Sequence, residues 1–418
     1  YIAHPGHPRV PVYTKVFKIP GKATNVNVQC ELVEYHQQQL TAKILPEPQT
    51  VYLDASYQYD SEPVYLEDSE IYTSDSYYPS QPFDYAVRCG LDTNGQPTTF
   101  VHVELHPVRY NPVQNSLRLY SDGSIHVDYT PPVPEENSLS TDSYDLVIIA
   151  PEKFEEPLQK FVAHKNSMGI STIIRTTESI FSEYDGRDEP EQIKYFIKDA
   201  KENWDTTYIL LFGGLKSYIY AKDRDGQSYG AKAWHVPVRY ANIAEGDEKS
   251  AISDLYYSDL YRYNDDSGQW EFEDWDSSGD GVFAKWYYFT QDKDVLDLAP
   301  DIYVGRLPCR NRIELNIVVN KIINYESTSP DEKPWFKTFI GVSGKNFDMW
   351  KGQPDGEYLV DRAIENMSSY HDTVVRIYAS NDLTGQGPIP DTEDIVEEFS
   401  KGAGYIDFEG HGNPLVWD

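Results

Sequence analysis

A histidine flanked by two glycines closes a strand-like stretch near the C-terminus, in the segment GYIDFEGHG. The imidazole of His411 titrates near neutral pH, which suits it to act as a general base. Gly410 and Gly412 carry no side chain, so a substrate backbone can approach and the Gly412 N–H can point at an oxyanion. The pattern indicates half of an acyl-transfer site, and it is also the pattern of an ordinary polar turn at a strand end.

A base of this kind needs a nucleophile, and the sequence near His411 supplies none. The three cysteines, Cys30, Cys89 and Cys309, all precede it. No serine nearby stands in a G-x-S-x-G setting. The sequence therefore predicts the base of a catalytic pair without its partner.

A second group of residues has the spacing of a calcium loop. Asp276, Ser278 and Asp280 supply oxygens at positions 1, 3 and 5, and Gly281 stands at position 6. Position 12 is Tyr287 where an EF-hand has a bidentate glutamate, so the segment is not an EF-hand. We predict a shorter calcium loop.

Other oxygens would have to complete that loop. The candidates are backbone carbonyls and the carboxylates of Asp254, Asp259 and Asp274, all in the same acidic stretch. So many carboxylates repel one another unless a cation is present. The alternative is a solvated acidic loop in which Asp and Gly only shape turns.

Arg306 follows a predicted buried strand in the segment GRLP. Its guanidinium could clamp a substrate carboxylate or hold a loop by bidentate hydrogen bonds. We favour the structural role.

The elements that position these residues begin with an all-β region, residues 1–130. Val101, Val103 and Leu105 alternate with polar residues, as in a half-buried strand. The segment 117–129 predicts a hairpin that turns at SDGS, residues 121–124. We predict a β-sandwich, followed by an exposed linker at 131–143 that is rich in Pro, Ser and acids.

From residue 144 onward, apolar runs alternate with amphipathic helices, which predicts βαβ units and a parallel sheet. The run YDLVIIAP is typical of a strand buried on both faces. Two α/β units are predicted in series, at 144–328 and 332–418. The second would carry His411 at the carboxyl end of its last strand, where sites gather in such sheets.

Composition limits the class of protein. The chain has 418 residues and a net charge of 36 − 68 = −32. Such acidity argues against nucleic acid as a partner, and no apolar run approaches the ~20 residues of a membrane span. No signal peptide opens the sequence, so we expect a mature or trimmed N-terminus. Few cysteines, many tyrosines and strong acidity favour an extracellular or cell-surface protein, in which Cys30 and Cys89 either pair or stay as buried thiols.

Four segments in this order carry a family resemblance: YDLVIIAP; SDLYYSDL with WDSSGDGVF; PDIYVGRLPCRNRIE with VVNKIINYE; and GYIDFEGHG. With them, residues 144–418 resemble the gingipain-like cysteine peptidases, peptidase family C25 of the caspase-like clan. The N-terminal β region looks like the propeptide of that family. The resemblance implies an endopeptidase with a Cys–His dyad, acting on proteins or peptides, on a caspase-like α/β/α fold with two subdomains.

The resemblance also assigns residues. It makes His411 the dyad base and Gly412 N–H a donor to the oxyanion, and it places the nucleophilic cysteine on a strand beyond Asp418. Cys309 does not match that position. The missing cysteine has three explanations: a shortened sequence, cleavage that leaves the cysteine on a second chain, or loss of the nucleophile.

Two further assignments follow from the family pattern. Where better-known members have an acid that orients the histidine, FIGVSGKN places Asn346. The calcium loops of the family match the WDSSGDG region. Basic P1 specificity does not carry over, because the expected acidic position falls near Leu359.

Two other readings stay open. The chain could be a non-catalytic, calcium-dependent extracellular binding or adhesion module, with the α/β part as scaffold. A metal-dependent hydrolase built on the acidic cluster is a weaker third hypothesis.

Overall fold

The computed structural model describes residues 4–49, 64–133, 143–217, 233–242, 250–286, 293–344, 355–380 and 390–410. The chain forms two compact units, Tyr1–Val319 and Asn320–Asp418. Antiparallel sheets occupy the first 130 residues, and parallel sheets with helices follow. The protein is thus a mixed structure with an α/β part.

The β region contains six described strands and a one-turn helix. They are β1 (Tyr13–Pro20), β2 (Thr24–Gln39), α1 (Ser69–Tyr72), β3 (Phe83–Leu91), β4 (Pro97–Leu105), β5 (Val108–Asn111) and β6 (Ser116–Thr130). They form two antiparallel sheets, β1-β4-β3 and β2-β6-β5. Valines 28, 101 and 103 from the two sheets share one core. The alternation read in segment 101–105 is therefore that of a strand with one buried face.

The predicted hairpin at 117–129 is wrong. β6 runs straight through the SDGS segment because β2 pairs with it along its whole length, with Leu32 opposite Gly123. A Cβ on residue 123 would lie 2.7 Å from the Glu31 carbonyl oxygen. Glycine here permits close approach of two strands rather than a turn.

The first α/β part is built on a four-stranded parallel sheet. Its strands are β7 (Leu146–Ala150), β8 (Thr172–Thr176), β9 (Tyr208–Phe212) and β14 (Tyr303–Leu307). Its helices are α2 (Glu152–Ser167), α3 (Thr177–Glu183), α4 (Glu189–Trp204) and α6 (Arg312–Glu326). The order is β14-β9-β7-β8. Every residue of β7 is buried, as the apolar run predicts.

The Tyr/Asp-rich stretch between β9 and β14 also contains short elements. They are β10 (Tyr240–Ala241), β11 (Ala251–Ile252), α5 (Leu255–Ser258), β12 (Tyr261–Asn264) and β13 (Gln269–Phe272). β12 and β13 form an antiparallel hairpin. Its aromatic side chains Tyr263 and Trp270 join the core of the β region.

Several hydrogen bonds fix the β region against this α/β part. Trp270 Nε1 donates to the Ala23 carbonyl at 2.8 Å, and the Val26 N–H donates to the Tyr263 hydroxyl at 2.8 Å. At the end of β3, the Leu91 N–H donates to the Pro300 carbonyl at 2.9 Å. The two parts meet through buried aromatic and backbone contacts.

The second unit contains a three-stranded parallel sheet in the order β16-β15-β17. Its elements are β15 (Thr338–Ser343), α7 (Asp355–Asn366), β16 (Thr373–Tyr378), α8 (Thr392–Lys401) and β17 (Tyr405–Glu409), preceded by 3-10 turns at Pro330–Glu332 and Pro334–Lys337. Phe339 packs with Val360 of α7, whereas Ile340, its neighbour on β15, packs with Ile395 of α8. Because successive strand side chains point to opposite faces, the two helices cover the two faces of the sheet.

Candidate active-site edge and acidic loop

The carboxyl ends of β15, β16 and β17 meet at one edge of the second sheet. Glu409, the last residue of β17, pairs with Ser343, the last residue of β15. The Gly344 N–H donates to the Glu409 carbonyl at 3.0 Å, and the Ala379 N–H donates to the Ser343 carbonyl at 3.0 Å. The strand that carries the GHG segment is therefore fixed up to its last residue.

Three predicted catalytic residues follow strands at this edge. His411 and Gly412 come directly after Gly410, and Asn346 comes shortly after β15. All three lie outside the described residues. Their roles stay predictions.

A buried carboxylate at the same edge was missed by sequence reasoning. Glu357, in the first turn of α7, is only 3 % exposed. Its Oε1 accepts the Ser380 N–H, just beyond β16, at 2.8 Å. A glutamate early in a helix is common for reasons of the helix dipole alone, so nothing in the sequence marked this one.

None of the three cysteines forms a disulfide. Cys30 and Cys89 are thus separate thiols, and Cys89 is buried as expected, whereas Cys30 is only partly buried. Burial raises the pKa of Cys309 to about 11, with a further contribution from the Glu314 carboxylate. Cys309 is protonated at neutral pH and unsuited to act as a nucleophile.

Arg306 holds a loop, which confirms the structural role. Its guanidinium pairs with Asp254 through Nε at 2.6 Å and Nη2 at 2.9 Å. It also donates to the carbonyls of Gly213, Val236 and Pro237 at 2.8–3.0 Å. One side chain therefore joins β14 to the end of β9 and to the segment 236–237.

Asp276 organises the acidic loop from within. Its side chain is 1 % exposed and pairs with Arg187 at 2.7 Å. It also accepts the N–H groups of Asp280 and Gly281 at 3.0 and 3.1 Å. The Ser278 N–H donates instead to Asp294, at 3.0 Å. The predicted ligands thus take part in an internally bonded turn.

The remaining predicted ligands have separate partners. Asp280 pairs with Lys285 at 2.8 Å, and Asp254 pairs with Arg306. Asp259 accepts Trp275 Nε1 at 2.8 Å. Among the described residues, no group of three or more His, Cys, Asp or Glu side chains is placed to hold a metal ion. Calcium here stays a prediction.

A buried acidic cluster surrounds Lys194, which is fully buried on α4. The Lys194 ammonium donates to the Glu273 carbonyl oxygen and lies 4.2 Å from the centre of the Tyr256 ring. Burial lowers its pKa, opposed by the carboxylates of Asp259 and Glu273. Burial has the opposite effect on the carboxyl groups. It raises the pKa of Asp259 and Glu273, and it raises the pKa of Asp297 to about 9.

Residues 140–418 match the model of peptidase family C25, and residues 1–146 match that of the C25 propeptide. The chain belongs to peptidase family C25. Its N-terminal β region is the part that matches the family's propeptide.

Curated relatives of this C25 member are gingipains of Porphyromonas gingivalis. Gingipain R2 of strain W83 is 22 % identical in an alignment 386 residues long, which covers 83 % of this chain and 42 % of that protein. Gingipain R1 is 20 % identical in an alignment 364 residues long, which covers 78 % of this chain and 29 % of that protein. The chain spans less than half the length of these relatives.

Two solved structures are similar over about two thirds of the chain. The Arg-specific cysteine proteinase gingipain R gives a TM-score of 0.39 at 19 % identity, covering 68 % of this chain and 50 % of that one. The complex of Porphyromonas gingivalis RgpB pro- and mature domains gives a TM-score of 0.38 at 19 % identity, covering 65 % of this chain and 49 % of that one.

No helix in the described part of this C25 chain is both long and apolar enough to cross a membrane.

Proposed function

We propose that this C25 member is the propeptide and the histidine-bearing part of an extracellular or cell-surface cysteine endopeptidase. His411 is its base, and the nucleophilic cysteine lies beyond Asp418, on the same chain or on a second chain produced by cleavage. The family match over residues 140–418 carries the proposal. The course of β17, which ends at the carboxyl edge of a parallel sheet two residues before His411 in the sequence, supports it.

The proposed reaction is acyl transfer. The imidazole of His411 takes the proton of the cysteine thiol, and the thiolate attacks the scissile carbonyl carbon. The Gly412 N–H donates to the resulting oxyanion. Protonated His411 then gives its proton to the leaving amine, and water hydrolyses the acyl-enzyme. Asn346 orients the imidazole, as a positioning residue.

The domain plan belongs to the same proposal. Residues 1–130 form the propeptide sandwich, 131–143 the linker, and 144–328 and 332–418 the two subdomains of a caspase-like α/β/α catalytic domain. Helices on both faces of the β16-β15-β17 sheet support the three-layer arrangement. Its substrates are proteins or peptides.

A thiol-reactive peptide probe tests the function. We expect a polypeptide that continues past Asp418 to be labelled on a cysteine in that continuation, and labelling to disappear in His411→Ala. Labelling confined to Cys309, or none in a correctly folded protein with its continuation, would contradict the proposal. Calcium-dependent stability without labelling would favour the binding module.

We also propose that calcium binds the loop containing Asp276, Ser278 and Asp280, with Asp254 or Asp259 as further ligands. The 1-3-5 oxygen spacing supports it. Calcium should raise the melting temperature of the wild type by a few degrees, magnesium should not, and Asp280→Asn should abolish the shift. An unchanged shift in Asp280→Asn would rule out this loop.

A further inference from the structure

The first α/β sheet has a crevice at the carboxyl ends of its strands. The chain passes from β7 to its neighbour β8, then crosses over β7 to β9 on the other side. Connections therefore diverge in opposite directions from the carboxyl ends of β7 and β9. In open parallel sheets, ligands bind at such a switch point.

A cavity of about 330 Å³ lies at this point. Its lining comes from the segments that follow β7, β8 and β9: Lys153, Glu178 and Lys216. Trp234 and Phe181 supply aromatic walls. The cavity therefore has two aromatic walls beside several charged groups, a composition that suits a small polar ligand.

The backbone at the end of β9 explains why the cavity has this shape. The His235 N–H donates to the Gly214 carbonyl at 2.9 Å, and the Lys216 N–H donates to the Ala233 carbonyl at 2.8 Å. A Cβ at Gly213 would lie 2.9 Å from that of His235, and one at Gly214 would lie 2.3 Å from the Pro308 carbonyl oxygen. The glycines let the segment 233–237 cross the sheet edge closely.

Three basic groups converge inside the cavity. Lys153 Nζ lies 3.0 Å from His235 Nε2, and that nitrogen also lies 2.9 Å from the Arg310 carbonyl oxygen. A neutral imidazole nitrogen either accepts from the ammonium or donates to the carbonyl, and cannot do both. When it donates to Arg310, this nitrogen is no longer an acceptor for the Lys153 ammonium, and a ligand carboxylate can take that place.

The charge balance limits what that anion can be. Burial lowers the pKa of His235, and the nearby Lys153 and Lys216 ammonium groups lower it further, whereas the Glu178 carboxylate raises it. Glu178 and Glu189 also line the cavity. Two lysines against two glutamates favour a ligand of low net charge with one carboxylate over a polyanion.

We propose that this cavity binds the C-terminal carboxylate of a short peptide, held by Lys153 and Lys216 next to His235, with the adjoining side chain against Trp234 and Phe181. The choice of a peptide rests on the proposed function, since hydrolysis of peptide bonds generates such carboxylates. Binding at this site does not require His411. A failure of peptide binding at this cavity is therefore distinguishable from a failure of the peptidase proposal.

Binding to the full chain is measured by calorimetry with N-acetyl-Ala-Phe, its C-terminal amide, and inorganic phosphate. We expect the free carboxylate to bind at least about tenfold more tightly than the amide. Lys153→Met and Lys216→Met should each weaken it at least about tenfold, which is the scale of a lost charge-assisted hydrogen bond. Lys160→Met is the matched control on the same helix, since its ammonium bonds Asn316 instead, and should leave binding unchanged.

Histidine NMR gives an independent readout. The carboxylate should raise the pKa of His235, and Lys153→Met should raise it in the free protein by removing a neighbouring cation. The proposal is overturned if the amide binds equally well, if the lysine variants bind normally, or if His235 does not respond. Binding of phosphate without binding of the peptide would overturn the peptide assignment.

Discussion

Arg306 joins three segments that are far apart in the chain, and every donor group of its guanidinium takes part. A lysine keeps the charge but cannot form the bidentate pair with Asp254 and reach three carbonyls as well. We expect Arg306→Lys to lower the free energy of unfolding by about 2–4 kcal/mol, because buried acceptors lose their donors. Urea denaturation measures this loss.

Arg312→Lys is the matched control. Its guanidinium is mostly exposed. It lies 3.3 Å from the Glu156 carboxylate and 3.1 Å from the Lys153 carbonyl oxygen. We expect a change within about 0.5 kcal/mol. Equal losses in the two variants would show that the network around Arg306 contributes no special stability.

The carboxyl of Asp297 predicts a pH dependence. Its folded-state pKa is raised to about 9 by burial and by the Asp259 carboxylate, well above the unfolded value of about 3.9. Between these values the folded state binds a proton that the unfolded state does not, so stability falls as pH rises from about 4 to 9. Asp297→Asn should reduce the loss between pH 5 and pH 8 by up to about 4 kcal/mol.

Thermal unfolding at several pH values tests this dependence. Asp92→Asn is the control. The backbone N–H groups of Gln96 and Asn94 lower the pKa of Asp92, so removing this carboxyl should not reduce the loss of stability between pH 5 and pH 8. An unaltered slope in Asp297→Asn would contradict the assignment.

Sequence reasoning at the residue scale sees spacing but not distant partners. Asp276 has the 1-3-5 spacing of a metal ligand, and Asp254 is a further candidate from the same acidic stretch. Their carboxylates also pair with Arg187 and Arg306, which lie far away along the chain. Lys194 shows the same limit, since a lysine on an amphipathic helix ordinarily faces solvent. Only the tertiary structure places it in an aromatic and acidic environment.

At the scale of elements, the β12–β13 hairpin fixes the β region. Gly268 has φ +67°, and a Cβ there would lie 2.9 Å from the Asn25 side-chain oxygen. Gly268→Ala therefore adds a steric clash to backbone strain. We expect it to lose at least about 1 kcal/mol more stability than Gly169→Ala, whose φ is +83° with open space around it.

Chemical denaturation of both variants makes the comparison. Equal losses would mean that backbone strain accounts for the whole effect and that the Asn25 side chain moves aside without a cost in stability.

Elements with strong periodicity were predicted well. The parallel strands β7 and β17 lie in the apolar stretches YDLVIIAP and GYIDFEGHG, from which they were predicted. The hairpin at 117–129 failed because Asp-Gly is a turn signal only when the flanking strands lack a longer partner, and β2 supplies one. The β12–β13 hairpin was missed because charged and aromatic residues hide its alternation.

At the scale of the molecule, contacts should hold the β region in place after cleavage of the linker at 131–143. Trp270 and Tyr263 bond the backbone of Ala23 and Val26, and the Cys89 N–H donates to Asp297 at 3.0 Å. We expect the two fragments to co-elute in gel filtration after limited proteolysis. Trp270→Ala should release the smaller one, whereas Trp286→Ala, at an exposed tryptophan, should not.

The alternation of strands and helices after residue 144 could be inferred from the sequence, since buried strands and amphipathic helices have local signatures. The packing of the β region on the β12–β13 hairpin could not. It depends on hydrogen bonds between backbone groups and aromatic side chains more than 200 positions apart. No local pattern encodes such a pairing.

The central claim is that His411 is the base of a cysteine peptidase. Its most direct test is kcat/KM for peptide hydrolysis by the polypeptide that continues past Asp418, compared between the wild type, His411→Ala and His126→Ala, an exposed histidine on β6. We predict a loss of at least about 100-fold in His411→Ala, as expected for a general base, and none in His126→Ala. Unchanged hydrolysis in His411→Ala would contradict the claim.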